Sequence, residues 1–150
     1  MVLMTPRVAL DSNVLIYAFD SGAPDKQARA HEILARFGGT GAVVPAQALA
    51  ESSRVLLVKR RPPLAPDETA GYVRRLATVF AVEPLTEAIV EEAIRSVDAH
   101  GLSYFDAQIW AAAKSAGAAV LLTEDFQSGQ EVEGGRFVNP FAEAFDLAAL

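Results

Sequence analysis

The sequence has no cysteine and only two histidines among its 150 residues. The absence of cysteine excludes disulfides, a thiolate nucleophile and zinc bound through sulfur, and it suits a reducing compartment. The histidines, His31 and His100, lack a partner at metal-ligand spacing, so a mechanism based on histidine is not expected. If this chain has catalytic or metal chemistry, oxygen-bearing side chains are the candidates to supply it.

Long apolar runs and targeting features are also missing. No run approaches the length of a membrane span, and the first residues, MVLMTPR, lack the basic and apolar regions of a signal peptide. We therefore expect no membrane partner and a cytoplasmic location. Neither GxxxxGK[ST] nor GxGxxG occurs, which excludes the phosphate-binding loops that carry those patterns.

Positive charge is scarce, with 13 lysines and arginines against 19 aspartates and glutamates and a net charge of -6. This balance argues weakly against a broad basic surface for nucleic acid but does not exclude local contacts with phosphates. The basic residues that could make such contacts are Lys59, Arg60, Arg61, Arg74 and Arg75. A solvated helix face is the more common explanation for such residues.

What the chain does contain is a regular alternation of short apolar strands and helices. A hydrophobic content of 51% over 150 residues predicts one folded domain, residues 1–150. Short apolar runs predict strands at 8–10, 42–44, 80–82, 118–122 and 136–138, with a polar loop at 127–135. Helical spacing predicts helices between the first four, beginning near residues 12, 24, 46, 67, 86 and 103. The expected fold is α/β, a three-layer α/β/α sandwich around a short, mostly parallel sheet.

One predicted helix has an apolar stripe that is expected to face the core. It begins at Thr86, ends at His100-Gly101 and carries Ile89, Val90, Ala93, Ile94 and Val97 at helical spacing. The tail after Asn139 contains Phe141, Phe145 and Leu147, which we expect to pack back on the domain.

Four carboxylates lie at positions where parallel α/β folds bind ligands, and three of them also have an ordinary structural explanation. Asp11 follows the first strand but could simply cap the next helix. Glu51 lies early in a helix and could pair with Arg54 at i+3. Asp106 could belong to a capping box with Ser103. Asp125 follows the fourth strand, as Asp11 follows the first.

Taken together, the four acids predict a metal site. In a wound parallel sheet, the carboxyl ends of strands and the starts of the following helices share one edge, so these groups can converge. Carboxylates that meet without a basic residue repel one another, and a divalent cation relieves that repulsion. Oxygen ligands favour Mg²⁺ or Mn²⁺, with Asp11, Asp106 and Asp125 as the predicted ligands. Such a site suits phosphodiester hydrolysis.

The motifs that carry these acids resemble those of the PIN-domain nucleases, in particular the VapC-type toxins of bacterial toxin–antitoxin modules. They are DSNVLI at 11–16, Glu51, SYFDA at 103–107 and LLTEDF at 121–126, with VNPF near the end. The resemblance implies a Mg²⁺- or Mn²⁺-dependent endoribonuclease, a homodimer and inhibition by a cognate antitoxin. By position, Asp11, Glu51, Asp106 and Asp125 become the catalytic quartet. Ser12, Asn13 and Thr123 become supporting polar residues.

Two other functions stay open at this point. The chain could be a catalytically silent PIN-like binding module regulated by a partner protein, although all four acids are present. It could also resemble a receiver or phosphatase domain, but a DxD pair is missing and no lysine obviously follows a late strand. Exposed apolar residues on the helices spanning 24–37 and 66–80 could form an antitoxin groove, unless they simply belong to the core.

Overall fold

A computed structural model describes residues 6–150 of the chain. The expectation that the first residues contain no targeting signal therefore concerns a segment that lies mostly outside the described residues. Within residues 6–150, no helix combines the length and the apolar character needed to cross a bilayer.

Six strands form one sheet, in the order β3-β2-β1-β4-β6-β5. All neighbouring pairs are parallel except β5 and β6, which form an antiparallel hairpin. The strands are β1 Val8–Leu10, β2 Val43–Pro45, β3 Ala81–Glu83, β4 Val120–Leu122, β5 Glu131–Val132 and β6 Gly135–Val138.

Helices fill most of the connections. They are α1 Ser12–Tyr17, α2 Pro24–Phe37, α3 Ala46–Arg54, α4 Pro66–Val79, α5 Glu87–His100 and α6 Tyr104–Ser115. A π-helical turn, Val55–Lys59, extends α3, and a 3-10 turn, Leu147–Ala149, lies near the end of the chain. The predicted α/β fold with a mostly parallel sheet flanked by helices is confirmed.

The core lies around the central strands, as their sequences predict. β1, β2 and β4 are buried along their whole length, because a central parallel strand is covered on both faces. The apolar side chains Ile33 and Phe37 of α2 and Tyr72 and Leu76 of α4 belong to the same core. These four residues are thus core side chains. Val79 of α4 is 43% exposed, so an antitoxin groove on these helices stays a prediction.

Two local expectations were wrong. Ile94 and Val97 of α5 do not face inward; they are 60% and 37% exposed. The buried side of α5 consists of Ile89, Ala93 and Ser96, and Ile94 and Val97 lie to one side of it at 100° per residue. A large part of this stripe therefore remains outside the core.

The second error concerns residues 127–135, which are not only a loop. They contain β5, which turns at Glu133 and Gly134, both with positive φ, and pairs with β6. A two-residue strand is too short to leave an alternation that sequence reasoning could detect, although the glycines mark the turn.

Sheet order places one particular pair of strand ends together. The chain adds β2 and β3 on one side of β1 and then places β4 on the other side, so the order reverses between β1 and β4. Leu10 pairs with Leu122, and the Asp11 amide donates to the Leu122 carbonyl at 3.0 Å. Open α/β sheets bind ligands at such a switch point.

Candidate active site

Asp11 lies at the carboxyl end of β1 and is almost completely buried, with 2% of its surface exposed. It caps α1, since its Oδ1 accepts a hydrogen bond from the Ser12 amide at 2.6 Å. Its Oδ2 accepts a second bond from the Thr123 hydroxyl at 2.8 Å. The capping role considered for Asp11 is therefore real, but it occupies only one of the two carboxylate oxygens.

Thr123, at the end of β4, connects three polar groups of the site. Its hydroxyl donates to Asp11 and accepts from the Asp125 amide at 3.1 Å and from the Asn13 side chain at 3.4 Å. The same Asn13 nitrogen donates to Asp125 Oδ2, also at 3.4 Å. Thr123 is fully buried, so its hydroxyl satisfies its own bonding capacity only through these neighbours.

Glu51 joins the site from α3 through Ser12. The Ser12 hydroxyl donates to Glu51 Oε2 at 2.9 Å, and Gln47 Nε2 donates to Oε1 at 2.7 Å. Arg54 makes no ion pair with Glu51 in the described structure. The surface pairing considered for Glu51 is therefore not formed, and its bonds face the site.

Asp106 approaches from the first turn of α6. Ser103, the residue before this helix, makes no side-chain capping bond, so the capping box is not formed. The charge of Asp106 helps to raise the pKa of Asp125, which shows that the two carboxylates lie within electrostatic reach. The sheet and α6 thus bring Asp106 toward the strand-end acids.

The acids at this edge of the sheet have no neutralising cation within the described residues, and the pKa values of Asp11 and Asp125 reflect this. The pKa of Asp11 is raised to about 6, chiefly by burial and to a smaller extent by the charges of Asp125 and Glu51, in spite of the hydrogen bonds from Thr123 and Ser12. Burial and the charge of Asp106 raise the pKa of Asp125 above its ordinary value, while the bond from Asn13 opposes this shift. Across residues 6–150, no lysine, arginine or histidine forms an ion pair with any of the four acids.

The donor chemistry fits a hard divalent cation. All candidate ligands are oxygens, and Asn13 Oδ1 is buried without a hydrogen-bond partner in the described part of the chain. No three aspartate, glutamate or histidine side chains of that part are grouped closely enough to hold an ion by themselves. Mg²⁺ often binds through one or two carboxylates and keeps several waters, so a site built from pairs of acids suits it.

Sequence reasoning missed two glutamines that connect the elements of the site. Gln47 Nε2 donates to Glu51 and also to the Phe105 carbonyl at 3.1 Å, which links α3 to α6. Gln108 Nε2 donates to Gln47 Oε1 at 2.5 Å. Gln47 precedes Glu51 by one helical turn, and this i, i+4 spacing is the signal that could have found it.

The basic residues proposed for phosphate contacts lie away from these bonds. Lys59, Arg60 and Arg61 line a cleft of about 430 Å³ beside the end of α1, together with Asp20. Arg60 donates to the Pro62 carbonyl and Arg61 to the Val58 carbonyl. These bonds hold both guanidinium groups beside the backbone at the end of the π-helical turn.

A family model described as the PIN domain matches residues 8–128 of this chain. No curated protein matches the chain. Among solved structures, VapC20 of Mycobacterium tuberculosis, described as a toxin that cleaves the sarcin-ricin loop, has a TM-score of 0.63 at 20% identity, covering 79% of this chain and 91% of its own.

Two further solved structures share the fold. A toxin–antitoxin complex from Klebsiella pneumoniae matches with a TM-score of 0.64 at 18% identity, covering 89% of this chain and 97% of the other. VapBC2 of Rickettsia felis, bound to a fragment of promoter DNA, matches with a TM-score of 0.56 at 15% identity, covering 87% and 96%. At these identities the likeness shows the fold.

Proposed function

The chain belongs to the PIN domain family, and from this premise we propose that it is a divalent-metal-dependent endoribonuclease, the toxin of a toxin–antitoxin pair. The observation that carries the proposal is the pair Asp11 and Asp125 at the switch point of the sheet. Both carboxyls have raised pKa values, and neither forms an ion pair within residues 6–150. An enzyme that binds a cation at this edge has a reason to leave these charges unmatched.

In this proposal Asp11, Asp106 and Asp125 would supply carboxylate oxygens to Mg²⁺ or Mn²⁺, and Glu51 completes the acidic quartet. Because no three acids among residues 6–150 are grouped closely enough to hold an ion by themselves, waters would fill the remaining ligand positions. A cation bound there would supply an activated water and would stabilise the charge that develops on the phosphate. Ser12, Asn13 and Thr123 hold the carboxylates in position through the hydrogen bonds described above. Thr123 and the Ser12 amide also favour the ionised form of Asp11, because they donate to its oxygens.

The assignment as a toxin adds a partner and a cellular setting. One solved structure with the same fold is described as a toxin–antitoxin complex, which supports a cognate antitoxin as the partner of this chain. We further propose a homodimer that acts in the cytoplasm on RNA. In this proposal the antitoxin protects the host cell from the ribonuclease.

The test is cleavage of a pool of cellular RNA by purified protein freed of any partner. We expect discrete products with Mn²⁺, no products with EDTA and no products from Asp106→Asn. Asp98→Asn, the same chemical change on the exposed side of α5, is the matched control and should cleave like the wild type.

A second candidate function is a silent PIN-like binding module. The observation that favours it is that no three acids among residues 6–150 are grouped closely enough to enclose an ion. A folded protein that binds Mn²⁺ yet cleaves no RNA under any of these conditions would favour this module. It would contradict the proposed ribonuclease.

A further inference from the structure

Phe105 is the one aromatic side chain of residues 6–150 that is mostly exposed, with 65% of its surface accessible. Every other phenylalanine, tyrosine and tryptophan in that range is buried or partly buried. A single exposed apolar residue is ordinary on a protein surface. Whether this ring binds a ligand therefore has to be argued from its surroundings.

The backbone of Phe105 adjoins two of the four acids. Phe105 directly precedes Asp106 in the first turn of α6. Its carbonyl accepts from Gln47 Nε2 at 3.1 Å, and the same nitrogen donates to Glu51 Oε1 at 2.7 Å. Phe105 is thus one residue from one acid and one hydrogen-bonded side chain from another.

The ring also has a defined support. Tyr104 meets it edge-on, with 5.3 Å between the ring centroids and 73° between the planes. Tyr104 in turn donates its hydroxyl to Gln108 Oε1 at 3.0 Å. Tyr104 thus contacts one edge of the Phe105 ring, and the exposed remainder of the ring is available to a flat ligand.

Negative charge around the site favours a contact with nucleic acid that does not depend on the phosphates. The acids repel the phosphates of a nucleic acid, and the chain as a whole has a net charge of -6. Stacking of a base on an aromatic ring needs no positive charge and tolerates every sequence, because each base has a flat face. Sequence-specific proteins also use such stacking to hold unpaired RNA bases.

We propose that Phe105 is the stacking surface for an unpaired nucleobase beside the phosphodiester that is cut. The proposal rests on the proposed ribonuclease function and adds to it a residue that contacts an accessible base of the substrate next to the cleavage point. An apolar contact with a protein is the competing use of the same ring, and the variants below separate the two.

The test compares Phe105→Leu with Phe105→Tyr. Leucine keeps an apolar side chain but removes the π face, whereas tyrosine keeps the face. In the Asp11→Asn background with Mn²⁺, so that the RNA stays intact, we expect Phe105→Leu to weaken binding of a single-stranded oligoribonucleotide about tenfold or more. Phe105→Tyr should bind like the parent. A 2-aminopurine base in the oligonucleotide should be quenched by the parent and by Phe105→Tyr only.

Cleavage kinetics in the otherwise unchanged protein give a second readout. Phe105→Leu should raise KM with little change in kcat, because the ring binds substrate away from the reacting atoms. Ile94→Ala, a truncation of another exposed apolar side chain, is the control and should change neither constant. Melting curves of all variants check folding.

Three results would overturn the proposal. Equal RNA binding by Phe105→Leu and the parent would show that the ring does not stack, while cleavage by the wild type would leave the ribonuclease function standing. Loss of self-association in Phe105→Leu with unchanged RNA binding would assign the ring to a protein contact. Absence of both binding and cleavage in the wild type would refute the ribonuclease function itself, and the stacking proposal with it.

Discussion

Two groups of charged side chains in this protein contain carboxylates in opposite electrostatic settings. The proposed acidic quartet consists of Asp11 and Asp125, which follow β1 and β4, and of Glu51 on α3 and Asp106 on α6. It has no ion-pair partner among residues 6–150. The second group, which we term the ion-pair cluster, joins α5, α6 and the β5–β6 turn. Its members are Glu92, Arg95, His100, Lys114 and Glu133.

Bonding in the ion-pair cluster is dense. Glu133 accepts from Arg95 and His100 at 2.6 Å each and from Lys114 at 3.2 Å. Glu92 accepts from Arg95 at 2.5 Å and from Lys114 at 2.7 Å. The cluster therefore holds the β5–β6 turn against the two helices.

The pKa values follow these settings. Hydrogen bonds from Arg95 and Lys114 lower the pKa of Glu92 to about 2, and bonds from Arg95 and His100 lower that of Glu133 to about 2. Burial raises the pKa of Asp11 to about 6. The comparison teaches that a group of acids indicates a ligand site when nearby cations are missing, and a structural role when they are present.

The strongest test of this contrast is Asp11→Asn, which should lower the rate of RNA cleavage and raise the free energy of unfolding in the absence of metal. Cleavage should fall at least about 100-fold, the scale of removing one electrostatic group from an active site. Stability without metal should rise at pH 7, because the folded state no longer contains a buried, repelled charge. RNA cleavage and urea unfolding in EDTA measure the two effects.

The pH dependence of that stability has a definite sign. The folded pKa of Asp11, about 6, exceeds the ordinary aspartate value of 3.8, so the folded state holds the proton more tightly. The contribution of Asp11 to the free energy of unfolding should therefore fall by roughly 3 kcal/mol as pH rises from about 4 through 6, and then level off. This fall should be missing in Asp11→Asn. Parallel curves for the two proteins would show that Asp11 is not the buried, destabilised acid described here.

A smaller effect is expected when the hydroxyl between the acids is removed. Thr123→Val deletes the donor to Asp11 and the acceptor for the Asp125 amide, so cleavage should fall about 10- to 100-fold, as for other groups that orient metal ligands. The pKa of Asp11 should rise further, since a bond that favours its charged form is lost. The acidic limb of the pH–rate profile reports that shift.

Thr123→Ser provides the matched control for this change. It keeps the hydroxyl and loses only a methyl group, so it should retain most of the activity and the original pH profile. If Thr123→Ser and Thr123→Val were equally impaired, packing at the end of β4 would explain the loss, and the hydrogen bond to Asp11 would not.

The smallest effect is expected in the ion-pair cluster. Glu133→Gln should lower the melting temperature slightly and leave RNA cleavage unchanged, because exposed ion pairs contribute little and are screened by salt. The stability that Glu133 contributes is present above its unfolded pKa and is lost as pH falls toward 2. A difference in melting temperature that persists in high salt would contradict this account.

The amount of structure that the sequence could predict varied between elements. β1 and β4 were found because central parallel strands are wholly apolar, and α5 was found because its N-cap Thr86 and its terminal Gly101 mark both ends. The buried face of α5 was predicted to be wider than it is, because the spacing of apolar residues does not show how much of a helix its neighbours cover. β5 was missed because two residues cannot show a period.

The sequence by itself determined the fold class and the identities of four candidate acids, because strand and helix periods and strand-end aspartates are local patterns. It did not decide which acids lack a cation, since Glu51 with Arg54 and Glu92 with Arg95 have the same i, i+3 spacing. Tertiary structure separated them by turning Glu51 toward Ser12 and Gln47 and by surrounding Glu92 with Arg95 and Lys114. The physical reason is that charge compensation depends on distances between elements, and those distances exist only once the sheet and helices have packed.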